Sequence, residues 1–479
     1  MLRVVVAAVM GMGLSGCVFY LNPLCTDHIS NGEETDVDCG GTCGRCDIGD
    51  SCKSNDDCAD SDCKGGTCTA FPCFNGVQDG DETDIDCGGS CRTCSGGRTC
   101  DASTDCASAT CEADHTCRGL RDVSFQASTY EAGAKPYALF AGDLDGDGDV
   151  DLASADELNS QLVIARNDGA GGFLAPTTTF TTGEFPTGGA IGDFNLDGVP
   201  DVITADYHGD SVSVMSNLGA GMLAPRASYP TVDGAETSNL AIGDLDGDGS
   251  LDVIATNPMK ASVSVFLGQG NGSLAPAVDL PVGITGAAQP YSAAIADYDG
   301  DGRDDVAIAD SLSANLIVRL GNGDGTFQPE VAYADRGTPP LIVITADVNG
   351  DLLPDLVCAN RGSDNVSILL GRGDGTFRKA VLASTGKDSG PYSVAVGDFN
   401  ADGVLDVITA NFTVTKDLMF SDASVLIGIG IGNFEPPIQV PGSPAYGVAV
   451  GDFTGDGVAD FAAANYADHT VTVQRNTSQ

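Results

Sequence analysis

Asp143-Leu-Asp145-Gly-Asp147-Gly-Asp-Val-Asp151 decides the fold, because the same frame reopens at Asp193, Asp244, Asp297, Asp347, Asp398 and Asp452. The openings fall 50 to 54 residues apart. Repetition at that period marks one structural unit copied around a closed or stacked architecture. Between loops each unit reads as four short β-rich runs, for example Tyr392-Ser-Val-Ala-Val, Asp406-Val-Ile-Thr-Ala, Ala423-Ser-Val-Leu-Ile and a fourth after a Gly-rich turn. Four strands per unit make a propeller blade. The fold class expected is therefore all-β, a seven-bladed calcium-binding propeller behind two small disulfide-rich modules.

The loops have the chemistry of a hard-cation site. Oxygens at positions 1, 3, 5 and 9, with a backbone carbonyl at 7, can wrap one Ca²⁺ ion. The side-chain positions are Asp143, Asp145, Asp147 and Asp151 in the first loop; Asp193, Asn195, Asp197 and Asp201 in the second; Asp244, Asp246, Asp248 and Asp252 in the third. They continue with Asp297, Asp299, Asp301 and Asp305; Asp347, Asn349, Asp351 and Asp355; Asp398, Asn400, Asp402 and Asp406; and Asp452, Thr454, Asp456 and Asp460. Up to seven Ca²⁺ ions are expected. Position 6 is glycine in six loops and Leu352 in the fifth. Leu352 puts the fifth loop in doubt, and Thr454 the seventh. An EF-hand would need Glu at position 12 and flanking helices, and neither is present.

On these loops and strand runs, residues 121 to 479 resemble the FG-GAP or VCBS repeat family, which includes the propeller heads of integrin α-subunits. The resemblance implies seven blades, calcium in the loop joining the first two strands, and no catalytic residue. After the seventh loop only two strand runs remain, while Val123-Ser-Phe-Gln-Ala-Ser-Thr precedes the first loop without a blade of its own. That N-terminal run is expected to complete the last blade and close the ring.

The N-terminal region specifies export. Residues 1–16 read as a signal peptide, with Arg3 followed by an apolar stretch too short to span a bilayer. Leu14-Ser-Gly-Cys17 resembles a bacterial lipobox, which implies lipidation of Cys17, a tether over 17–24 and residence at the cell envelope, on the outer membrane or cell surface. Sixteen cysteines then form two like modules, 25–72 and 73–119, ahead of the propeller at 120–479. They read as four disulfides each, with a CxxC zinc cluster as the rival. Both modules carry Glu-Thr-Asp-Val/Ile-Asp-Cys-Gly-Gly (Glu34 to Gly41, Glu82 to Gly89), resembling cysteine-rich modules of myxobacterial surface proteins. Cys358, alone in a strand run, reads as a small buried hydrophobe.

A formal charge of −46 excludes nucleic acid as a partner and leaves a membrane reachable only through the lipid anchor. In this fold the face opposite the calcium loops carries the starts of the first strands and the loops between second and third strands. Six residues before each loop stand Tyr137, Thr187, Ser238, Tyr291, Leu341, Tyr392 and Tyr446. The second-to-third-strand loops add Tyr207, His208, Arg361, Phe412, Lys416, Tyr466 and His469. A tyrosine rim with scattered polar groups suits a glycan or a protein ligand; rings wedged between blades are the structural alternative. The function expected is recognition or adhesion without catalysis. A polysaccharide lyase or hydrolase is the alternative, with His208 and His469 as its propeller histidines.

Overall fold

The computed structural model describes residues 61–64, 67–70, 99–102, 115, 123–174, 177–283, 288–414, 419–420, 422–442 and 445–478. The signal segment, Cys17, the tether, Lys416 and most of the two cysteine modules lie outside these residues. The chain divides into two units, Met1–Gly80 and Asp81–Gln479. In the first, Ser61–Lys64 and Thr67–Ala70 form an antiparallel hairpin that sets Cys63 across from Cys68.

The second unit contains seven four-stranded antiparallel sheets. Their innermost strands are Pro136–Gly142, Pro186–Gly192, Asn239–Gly243, Pro290–Ala296, Pro340–Ala346, Pro391–Gly397 and Ala445–Gly451. The second strands all begin at the last Asp of the acidic loop and are buried along their whole length, as in Asp201–Asp206. Burial on both faces explains why their sequences run apolar and β-branched without strict alternation, since each sheet is sandwiched between its neighbours. The outermost strands, such as Val331–Ala334, are largely exposed. The ring closes as expected: Phe125–Glu131 pairs antiparallel with Thr470–Asn476, Phe125 opposite Asn476 and Glu131 opposite Thr470, as the outer strand of blade seven.

The second residue of every acidic loop is a knob between blades. Leu144, Phe194, Leu245, Tyr298, Val348, Phe399 and Phe453 are all at most 2% exposed. Phe453 packs at the seam with Leu139 and Leu152 of blade one and Ala462 and Val471 of blade seven. Cys358 is a buried free thiol in the core between blades four and five, in keeping with its apolar reading.

Six of the seven innermost strands begin with a register shift, between Pro136 and Ala138, Pro186 and Gly188, Pro290 and Ser292, Pro340 and Val343, Pro391 and Ser393, and Ala445 and Val448. Proline lacks the N–H that would extend the ladder, so it fits the first position of a bulged strand. The bulged residues include Tyr137, Tyr291, Tyr392 and Tyr446, and a bulge re-aims its side chain.

Phe453→Ala is expected to cost about 3–5 kcal/mol, because a fully buried ring at the closing seam leaves a cavity. Urea denaturation of the two proteins checks this; equal midpoints would show that the seam does not bear on stability.

Candidate functional site

Two sites stand on opposite faces of the ring. On the first, each acidic loop is folded by its own carboxylates. The position-1 carboxylate accepts the N–H of position 6 in all seven blades, at 3.0 Å for Gly148 onto Asp143 and 2.8 Å for Leu352 onto Asp347. Position 5 accepts the N–H of position 7, as Asp147 does from Asp149 and Asp351 from Leu353. Leu352 takes the left-handed conformation of its glycine counterparts, with φ of 65° and 90% exposure, so the fifth loop closes like the others.

Position 9 does more than a ligand position requires. Asp151 accepts the N–H of Leu144 at 3.1 Å on one oxygen and that of Asn167 at 2.8 Å on the other. The pattern recurs at Asp201, Asp252, Asp305, Asp355, Asp406 and Asp460. In blades one to six these aspartates tie the loop to the hairpin between third and fourth strands; in blade seven Asp460 ties it to Asn476 at the end of the third strand, the fourth being supplied by Phe125–Glu131. Burial, with neighbouring carboxylates adding to it, pushes Asp151, Asp252 and Asp305 up to about 6 against the pull of the backbone donors. Asp355 and Asp406 reach about 7 and about 8 for the same reasons.

The donor set fits a hard divalent cation best in three loops. Carboxylate oxygens of Asp143, Asp145 and Asp151, of Asp244, Asp246 and Asp248, and of Asp297, Asp299 and Asp305 converge within 4.8 Å. Oδ1 of Asp145 is buried with no hydrogen-bond partner among the described residues. Burial first, then repulsion from adjacent loop carboxylates, raises the pKa of Asp145, Asp246 and Asp299. Elsewhere position 3 is not acidic. Asn349 and Asn400 donate to Asp351 and Asp402 at 2.8 and 3.2 Å, so these loops meet part of their own demand for positive charge.

On the opposite face the bulged tyrosines converge into one aromatic bowl. The Tyr392 hydroxyl is bonded to both the Tyr137 and the Tyr291 hydroxyl, the latter at 2.6 Å. Tyr446 stacks on Tyr137 at 4.8 Å and on Phe412 at 4.2 Å. Arg361 lies 5.5 Å from the Tyr392 ring centre and 5.8 Å from that of Phe412. The four tyrosines line a cavity of about 300 Å³ together with Phe185, Tyr207, Tyr466 and Glu157. Tyr207 donates to Glu236, while Tyr466 donates to Glu157 at 3.2 Å and accepts from Lys135 at 2.8 Å.

Of the residues expected on this face, Tyr137, Thr187, Tyr207, Ser238, Tyr291, Tyr392, Tyr446 and Tyr466 line the cavity, and Phe412 backs it. The rings are both packing and surface: Tyr392 and Phe412 are buried, while Tyr137, Tyr291 and Tyr446 remain half-buried. The two histidines are not brought into the cavity. His208 packs on Phe185 and Tyr207 at its margin, 4.6 and 5.0 Å between ring centres. His469 is exposed, and its carbonyl accepts the N–H of Ala132 at 3.3 Å. Glu157 and Phe185 were not singled out from sequence. Glu157 opens the blade-one loop equivalent to those of Tyr207, Phe412 and Tyr466, so loop position was the available signal; Phe185 sits in an inter-blade loop with none.

Burial holds the hydroxyls of Tyr137 and Tyr392 well above their ordinary range and pushes Tyr446 up to about 12. These phenols therefore stay protonated near neutral pH and offer no tyrosinate base. Burial also raises Glu157, opposed by the Tyr466 hydrogen bond and by the charges of Lys135 and His208.

The two faces together define a seven-bladed β-propeller with an acidic loop in every blade. An FG-GAP-like repeat model matches residues 143–204, 193–255, 244–308, 297–358 and 347–409, and the chain belongs to that family. No curated protein matches the chain in sequence. Among solved structures, BBS1N in complex with ARL6DN is similar at a TM-score of 0.51 and 12% identity, over 74% of this chain and 98% of that one. An Agrocybe aegerita lectin, studied for recognition of non-reducing terminal N-acetylglucosamine, gives 0.48 and 21% over 72% and 86%. Virginiamycin B lyase from Staphylococcus aureus gives 0.48 and 10% over 74% and 99%. At such identities a shared structure speaks for the fold alone.

Leu352→Gly is expected to stabilise the protein by about 0.5–1 kcal/mol, since a left-handed non-glycine residue is strained and this side chain is exposed. Chemical denaturation measures it; a destabilised variant would mean that Leu352 makes a contact of its own.

Proposed function

We propose that the protein is a non-enzymatic recognition module of the bacterial cell envelope, exported, anchored through a lipid on Cys17, and binding a glycan or a protein partner. The axial bowl carries the proposal. It gathers rings from the first strands of four blades and from second-to-third-strand loops into one concave surface, the form in which aromatic side chains supply rigid, amphipathic contact area. Calcium in the acidic loops would neutralise the converging carboxylates and brace the opposite face, its chemistry here being structural. Catalysis is disfavoured because the hydroxyls of Tyr137 and Tyr392 are held protonated and neither propeller histidine lines the cavity.

Chelation is the first test. EGTA is expected to lower the melting temperature substantially, with the three fully acidic loops of blades one, three and four giving the tightest class of calcium sites in a titration. An unchanged melting point would rule out structural calcium.

Binding is the second. On a glycan array and in partner capture, Tyr446→Ala should weaken retention at least tenfold while calcium-dependent melting persists, and a uronate-lyase absorbance assay should stay flat. Turnover in that assay would sink the non-enzymatic assignment, and retention indifferent to Tyr446→Ala would remove the bowl as its site.

A further inference from the structure

We propose that the axial bowl is an aromatic cage for an organic cation, an alkylated ammonium group carried by the ligand. This rests on the bowl being the recognition site and narrows the chemistry it accepts. Seven aromatic rings line the cavity, and Glu157 is the one charged residue among its lining. Ring faces and a carboxylate are the two features that hold a quaternary ammonium, which presents positive charge with no hydrogen-bond donor.

The hydrogen-bonding inventory separates this ligand from a neutral sugar. A sugar needs several uncommitted donors and acceptors, whereas those of the bowl are largely spent. The hydroxyls of Tyr137, Tyr291 and Tyr392 bond one another. Those of Tyr207 and Tyr466 are engaged with Glu236, and with Glu157 and Lys135. Thr187 donates to the carbonyl of Ser238 at 2.9 Å, and Ser238 bonds the Thr256 hydroxyl and the Tyr291 carbonyl. What remains to an incoming group is chiefly π-surface and negative charge.

Glu157 supplies that charge from a buried position. It is 5% exposed, and no ion pair to it occurs among the described residues. Lys135 and His208 are its cationic or titratable neighbours, and Asp156 its acidic one; none of the three lines the cavity. The surrounding rings already hold cations of the protein's own: Lys135 stands 4.5 Å from the Tyr466 ring centre, and Arg361 is shared by Tyr392 and Phe412. The net negative charge of the chain adds a long-range field that favours cations.

The test is calorimetric titration of the calcium-saturated full chain with choline and with tetramethylammonium, each set against 3,3-dimethylbutanol, the uncharged isostere of choline. Both cations should bind, with the isostere about tenfold weaker or more. Glu157→Gln should weaken choline by a similar factor, and Tyr446→Ala should do so whether or not the first variant folds. Tyr466→Phe, which keeps the ring, should retain binding. Phosphocholine and an Nε-trimethyl-lysine peptide then tell a headgroup source from a protein side chain, and tight binding of either supports the cage. Equal affinity for choline and its isostere, or no binding of any cation, overturns it. Should a neutral sugar bind in a Tyr446-dependent way while choline does not, the cage is wrong and the recognition site stands. A partner bound equally well by Tyr446→Ala and in excess choline would remove the site itself.

Discussion

A carboxylate buried beneath each acidic loop is the constraint on which the rest of the ring depends. Asp151 and its six equivalents are at most 1% exposed, and each accepts amides from two segments of its blade. An unpaired charge at that depth would be prohibitive, so the loop and the hairpin must both close correctly for either to be tolerated. Once they close, the knob residue is pinned between blades, and its carbonyl receives a donor from the segment at the end of the next blade's third strand. Gly221 donates to Leu144 at 3.0 Å, Gly272 to Phe194 at 2.9 Å, and Asn476 to Phe399 at 2.7 Å. A feature that looks local in each repeat is thus what couples one repeat to the next.

The architecture was largely legible in the chain because it is periodic. The loop frame, the four strand runs and the orphan run at Val123 each state their place by position, and the ring is assembled as those positions require. The candidate site was legible only in part. Counting back from the loops finds Tyr137, Tyr291, Tyr392 and Tyr446, yet nothing in that count says that a bulge after Pro136, Pro290 or Pro391 turns these rings toward one another. Apart from its loop position Glu157 carries no signal in so acidic a chain, and its meaning comes from burial beside Tyr466. Position 9 teaches the same lesson in reverse, since a residue type read for its affinity for metal is engaged by two backbone amides.

The two faces divide the labour between opposite kinds of chemistry. One concentrates carboxylates that repel one another and would find relief in a compact divalent charge. The other concentrates rings whose hydroxyls are bonded to one another or to nearby side chains, leaving an electron-rich surface. Neither face shares a side chain with the other, so an ion can stiffen the scaffold without entering the bowl.

The clasp in blade seven has a consequence in time. Ser124 donates from its N–H to the hydroxyl of Ser478, 354 residues away, and the strands beside them are among the first and last of the propeller to be synthesised. The ring therefore cannot shut until Thr470–Asn476 has been made. Until then the outer strand of the final blade waits unpaired, at the long sequence separation that slows folding most. A ring that must await its last strand before it can lock is one that stays open while its blades are being made.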